Sequence, residues 1–198
     1  MRQEGNEMAT QTASGFDLQA ISQQLAEHTE TSVAPLESWN PEFCGDIDMR
    51  IARNGQWFYM GTPIGCQRMV NLFARVLWKE DDRYFLKTPV EKIGIQVDDV
   101  PFLITGFEQV EGEKGAELWF TSSTEDEICA GAKHPIRVVV DDETGEPSPY
   151  IAMRFGMEAL ISRAVFYQLV ELAELEQRDD GEHLVVESAG QRFSLGCC

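Results

Sequence analysis

A chain of 198 residues with 43% hydrophobic and 25% charged side chains has the composition of an ordinary globular protein, which argues against global disorder and against a coiled coil. Its 16 Lys and Arg stand against 34 Asp and Glu, a net charge of −18. That balance repels a phosphate backbone and speaks against duplex nucleic acid as a partner, while one or two local arginines could still hold a small phosphorylated ligand. No apolar run reaches the roughly 20 residues of a membrane helix, and five irregularly spaced cysteines fit free thiols in a reducing compartment. The expectation is a cytoplasmic protein without a membrane contact.

Residues 1 to 34 read as a flexible, polar start followed by one short amphipathic helix, with Phe16, Leu18, Ile21 and Leu25 at helical spacing behind Asp17 as N-cap. From Ile47 to Arg53 apolar and polar residues alternate up to Asn54-Gly55, a strong hairpin signal, with Gln56 to Gly61 as the return strand. A two-residue turn there sets Ile51 against Phe58 and Arg50 against Tyr59. Ile47, Met49, Ile51, Phe58 and Met60 then face the core, and Asp48, Arg50, Trp57 and Tyr59 share the other face. Met69, Leu72, Phe73, Val76 and Leu77 form one helical stripe. Strands follow at Tyr84 to Thr88 and Ile93 to Val97, parted at Pro89, and then at Phe102 to Val110, Glu117 to Ser123 and Ile136 to Val140.

The second half repeats the pattern. Tyr150 to Arg154 reads as a strand, and Met157, Leu160, Ile161, Ala164, Val165, Leu169 and Leu172 as the stripe of one long helix. A turn at 178–181 and strands at His183 to Glu187 and Gln191 to Leu195 close the chain. Trp57 to Met60 aligns with Tyr150 to Met153, each followed by a helix, an Asp-Asp turn and a broken strand. The expected fold is therefore α+β, with two related halves of hairpin or strand, helix and strand. Its divisions are 1–34, a first α+β domain over 35–100 and a second over 101–198.

The set Trp39-Asn40-Pro41, Cys44 to Ile51, Trp57 to Ile64, Thr88 to Lys92 and Pro101-Phe102 resembles the bacterial family called domain of unknown function 1285, over roughly residues 30 to 175. The resemblance implies a repeated motif, a second half like a pleckstrin-homology barrel, and a cleft between the halves for a nucleotide-like molecule in signalling. Carried over, its motif positions are Asp46, Asp48, Arg50, Trp57, Tyr59, Thr62, Thr88, Glu91 and Lys92, with Tyr150, Arg154 and Arg163 in the second half. The basic residue that the pattern sets shortly after Gly-Thr-Pro-Ile is Cys66 here, with Arg68 nearby.

Each constellation has a structural and a functional reading. Asp46 and Asp48 point to one face of a strand, as ligand contacts or as a loop cap and an ion-pair partner. Trp57 and Tyr59 beside Arg50 either stack on a ring and hold a phosphate or pack against the other half. Thr88, Glu91 and Lys92 surround a strand break that is either a binding turn or a solvated bulge. Arg154 and Arg163 clamp an anion only if their elements converge. The three histidines lack metal-ligand spacing, and no nucleophile elbow, dinucleotide fingerprint or calcium loop occurs, so neither metal nor cofactor is expected. The reading is a non-enzymatic small-ligand module, with a protein-interaction module as the alternative and an enzyme using Asp48 or Glu91 behind both.

Overall fold

The computed structural model of the chain describes residues 35–179 and 181–197, and the expected N-terminal helix lies outside them. A 3-10 turn at Leu36–Ser38 precedes the first sheet, which consists of β1 (Phe43–Ile51), β2 (Trp57–Tyr59), β3 (Thr62–Pro63), β4 (Leu77–Glu80), β5 (Arg83–Lys87) and β6 (Lys92–Val97). Helix α1 (Gln67–Ala74) sits between β3 and β4. The second sheet holds β7 (Phe102–Gly112), β8 (Gly115–Ser122), β9 (Glu127–Cys129), β10 (Ile136–Val140), β11 (Pro147–Ala152) and β12 (Glu158–Ile161). Helix α2 (Arg163–Leu172) leads from it to a third sheet of β13 (Glu174–Arg178), β14 (Gly181–Ser188) and β15 (Gln191–Cys197).

This corrects the α+β expectation. The described residues hold fifteen strands and two α-helices, arranged as two six-stranded mixed sheets and one three-stranded sheet. The long second helix fails at its start: Glu158–Ile161 is extended and pairs with β7, Ala159 opposite Phe102 and Ile161 opposite Ile104. A short apolar run fits a helical stripe and a strand equally, and the available partner strand decides between them. Val76 and Leu77 leave α1 for the same reason and run into β4, where Leu77 faces Leu86. The pleckstrin-homology-like barrel is also absent among the described residues, because the second sheet stays open with β10 and β9 at its edges.

The halves are nevertheless related, through strands and not through helices. The first sheet runs β3-β2-β1-β6-β5-β4, and adding six to each number gives β9-β8-β7-β12-β11-β10, which is the second sheet read from its far edge. Each sheet is two three-stranded meanders joined where β1 lies parallel to β6, or β7 parallel to β12. In this register Trp57 to Tyr59 corresponds to β8, not to the stretch Tyr150 to Met153 at the end of β11. The helices have no counterparts: α1 lies between the meanders of the first sheet, while α2 follows the whole of the second.

One hydrophobic core spans both sheets, from Leu36, Met49, Ile51, Trp57 and Phe73 to Phe102, Phe120, Ile151 and Ile161. Helix α1 contributes Val70, Phe73 and Ala74 and helix α2 contributes Val165, Phe166 and Leu169. Each large apolar side chain buried in this way contributes roughly 1.5–3 kcal/mol.

Candidate functional site

The hairpin of β1 and β2 decides which residues can meet a ligand. Ala52 N–H donates to Gln56 O at 2.9 Å and Gly55 N–H to Ala52 O at 2.9 Å, so the loop is Arg53-Asn54-Gly55, with Gly55 at φ +80°. Three residues where two were expected shift the pairing by one, to Ile51 opposite Trp57 and Arg50 opposite Phe58. A one-residue slip exchanges the faces of a strand. Trp57 is therefore 2% exposed and stacks on Phe73 with ring centroids 6.3 Å apart, Tyr59 packs against the same core, and Met60 is exposed. Neither aromatic joins Arg50.

On the outer face of the first sheet most of the remaining candidates are already engaged. Arg50 Nη1 lies 2.8 Å from Asp98 Oδ2, with its guanidinium 4.9 Å from the Phe58 ring centroid. Asp46 Oδ1 accepts from Arg83 Nη2 at 2.6 Å, and Lys92 Nζ donates to Glu80 Oε2 at 2.8 Å. Arg83 spans the rings of Phe43 and Phe85 at 5.2 and 5.1 Å. Lys87 is 5% exposed with Nζ 4.0 Å from the Trp78 ring centroid, and burial pushes its ammonium below the ordinary lysine range. Asp48 and Thr62 are exposed. Thr88 is a turn former: its Oγ1 accepts from Glu91 N at 3.0 Å and Val90 N at 3.3 Å, and Glu91 O accepts from Thr88 N at 2.8 Å. On this face Arg50, Asp46 and Lys92 are each held by a partner on a neighbouring strand or loop.

Arg154 and Arg163 do not converge. Arg154 lies between the two sheets, with Nη1 2.5 Å from Asp126 Oδ1, Nη2 2.8 Å from Ala74 O, and its guanidinium 4.9 Å from the Phe102 ring centroid. Asp126 is itself held by Thr124 Oγ1 at 2.7 Å and Ser122 Oγ at 3.2 Å. This network fastens α1 to the β8–β9 turn, and a half-buried pair of this kind is costly to break from one side.

Arg163 opens onto a groove of about 520 Å³ where the hairpin loop of the first half meets the second. Arg53 comes from that loop, Glu146, Pro147 and Ser148 from the β10–β11 connection and β11, and Arg163, Phe166 and Tyr167 from α2. Arg53 Nη2 donates to Ser148 Oγ at 2.8 Å, and its Nε lies 3.4 Å from Asp99 Oδ2. Tyr150 O–H donates to the same Asp99 carboxylate at 3.0 Å, and its phenol is pushed above its ordinary range by burial first and by Asp99 second. Arg163 Nη2 meets Glu146 Oε1 at 3.2 Å with both side chains mostly exposed, and Tyr167 is 58% exposed. Asp141 closes the wall, its carboxyl held below the usual range by the Thr144 N–H and hydroxyl. Two exposed guanidiniums with replaceable carboxylate partners beside an exposed phenol can take an anion and a planar ring. Of the residues expected from sequence this groove contains Arg163 alone. Arg53, Glu146, Ser148 and Tyr167 carried no motif, and only the fold brings them together.

The comparisons agree along the whole described chain. The model described as "Domain of unknown function (DUF1285), N-terminal domain" matches residues 34–100, and "Protein of unknown function (DUF1285), C-terminal domain" matches residues 101–195. A crystal structure of a DUF1285 family protein from Silicibacter pomeroyi DSS-3 is 46% identical, with a TM-score of 0.81, covering 92% of this chain and 96% of that one. A second, from Shewanella baltica OS155, is 31% identical with a TM-score of 0.50, over 62% of this chain and 90% of that one. No curated protein matches. With both halves matched in order and a solved relative covering nearly the full length, the chain belongs to the DUF1285 family.

Proposed function

We propose that this protein is a non-enzymatic module that binds a small anionic molecule in the groove between its halves, and that it serves signalling. A nucleotide-like ligand suits the groove best, its phosphate displacing Glu146 from Arg163 and its ring lying on Tyr167. The observation that carries the reading is the meeting of Arg53 and Arg163 with an exposed Tyr167 around one cavity of about 520 Å³, within the size of small-ligand sites. Asp48 and Glu91, the suspects for an acid or base, line neither this groove nor its rim. Four unpaired thiols at Cys44, Cys66, Cys129 and Cys197 suit a reducing, cytoplasmic setting, and no described helix is long and apolar enough to cross a membrane.

The test is a thermal-shift screen against mononucleotides, cyclic nucleotides, cyclic dinucleotides and inorganic phosphate. A ligand at 100 times its Kd stabilises the folded state by about 2.7 kcal/mol. The expected result is a shift that Arg163→Ala and Tyr167→Ala abolish and that Arg50→Ala leaves in place. A panel without any shift, or a shift that Arg163→Ala retains, overturns the reading.

A further inference from the structure

Open sheet edges are liabilities that proteins usually shorten, interrupt or cover. Among the described residues, five of the six edges are managed in that way. β3 has two residues and one is Pro63, and β9 has three. β4 is covered by the 153–157 loop, with Trp78 and Phe155 ring centroids 5.0 Å apart and Lys79 Nζ 3.5 Å from Gly156 O. β10 and β15 lie against each other. The sixth edge, β13, has five residues, no proline, no lysine and no bulge, and among the described residues its one extensive contact is with β14. Leu175 on it is 64% exposed and Leu172, at the end of α2 just before it, is 47% exposed, so two apolar side chains stand beside the open ladder.

The groups along this edge are self-complementary. The β13–β14 hairpin closes on Arg178 opposite Gly181, and a two-residue hairpin closes on a hydrogen-bonded pair. Alternation then turns the N–H and C=O groups of Leu175 and Gln177 away from β14, toward the open side. Glu174, Glu176 and Arg178 share one face, where Glu176 already holds Arg178 Nε at 2.8 Å and Arg192 Nη2 at 2.6 Å.

We propose that β13 pairs antiparallel with the β13 strand of a second copy of this chain, about a two-fold axis at Glu176, so that two three-stranded sheets become one of six. Leu175 then exchanges both backbone hydrogen bonds with the partner's Gln177, and the converse pair does the same. Glu174 stands opposite the partner's Arg178, and each Glu176 at the axis stays neutralised by its own Arg178 and Arg192. The local balance of four glutamates and four arginines over the two copies answers the repulsion expected between chains of net charge −18. A strand from an unrelated protein would meet the same mixed row without this symmetry.

Sedimentation velocity of the full chain over a concentration series tests it, with circular dichroism to verify folding of the variants. The expected species has twice the chain mass. Gln177→Pro, which removes an outward N–H and no β14 bond, and Leu175→Lys, which charges the edge, each return it to the single-chain mass with an unchanged spectrum. A wild-type protein that stays at one chain mass at every concentration overturns the proposal, and so does a dimer that both variants retain.

Discussion

Glu158 receives both prongs of the Arg137 guanidinium, Nε and Nη2 each at 2.6 Å, and that bond first, with the Arg137 charge behind it, holds the Glu158 carboxyl below the ordinary glutamate value of 4.5. A depressed folded value stabilises above the unfolded value and is lost as pH falls through the folded one. The stability advantage of the wild type over Glu158→Gln should therefore be full above about pH 5 and vanish in stronger acid, read from urea unfolding across pH. Burial separates the two residues once expected to act together. Trp57→Ala should cost about 3–5 kcal/mol as a core truncation, whereas Arg50→Ala, from a partly exposed ion pair, should cost about 0–1 kcal/mol. The inward set Ile47, Met49 and Ile51 was readable because strand alternation alone decides it. Trp57 was not, because its face depends on one residue of loop length that Asn54-Gly55 does not determine.

Strands and turns carry a different kind of constraint. A Cβ on Gly94 would overlap Asp46 Oδ1, while a Cβ on Gly55 would lie 3.0 Å from Leu103 Cβ at a φ of +80°. Asp46 is exposed and can swing aside, so Gly94→Ala should cost little more than its surface ion pair, about 0–1 kcal/mol. Gly55→Ala combines left-handed backbone with a rigid neighbour and should cost at least about 1–2 kcal/mol. Thermal unfolding of the two variants side by side should show Gly55→Ala well below Gly94→Ala. Short apolar strands bounded by turn residues, such as β5, β6, β8 and β10, were legible in the sequence. The stretch Glu158–Ile161 was not: its identity as a strand rests on pairing with β7, more than fifty residues away, and no local pattern reports such a partner.

At the scale of the molecule, the two family-matched halves share one core, in which Trp57 and Phe73 belong to the same cluster as Phe120 and Ile161. Arg154 and Arg53 add polar ties across the junction. Residues 35–100 expressed alone would expose that shared apolar surface, so the fragment should fail to give a dispersed amide spectrum, and the full chain should unfold in one calorimetric transition. The succession of strand, helix, turn and broken strand read as a repeat does not hold, because the true repeat lies in strand order, which sequence periodicity does not encode.

The parallel junction at the centre of each sheet bears on how quickly the chain folds. Ile51 pairs with Val97 and Ile104 with Ile161, separations of 46 and 57 residues, while the meanders on either side close over short turns. Loop-closure entropy opposes the long pairings until both meanders exist. Folding should therefore be rate-limited by docking one finished meander on the other. Ile51→Val or Ile161→Val should slow refolding in proportion to the stability lost, and Leu86→Ala, in a local hairpin, should act less through that step than its own loss of stability implies.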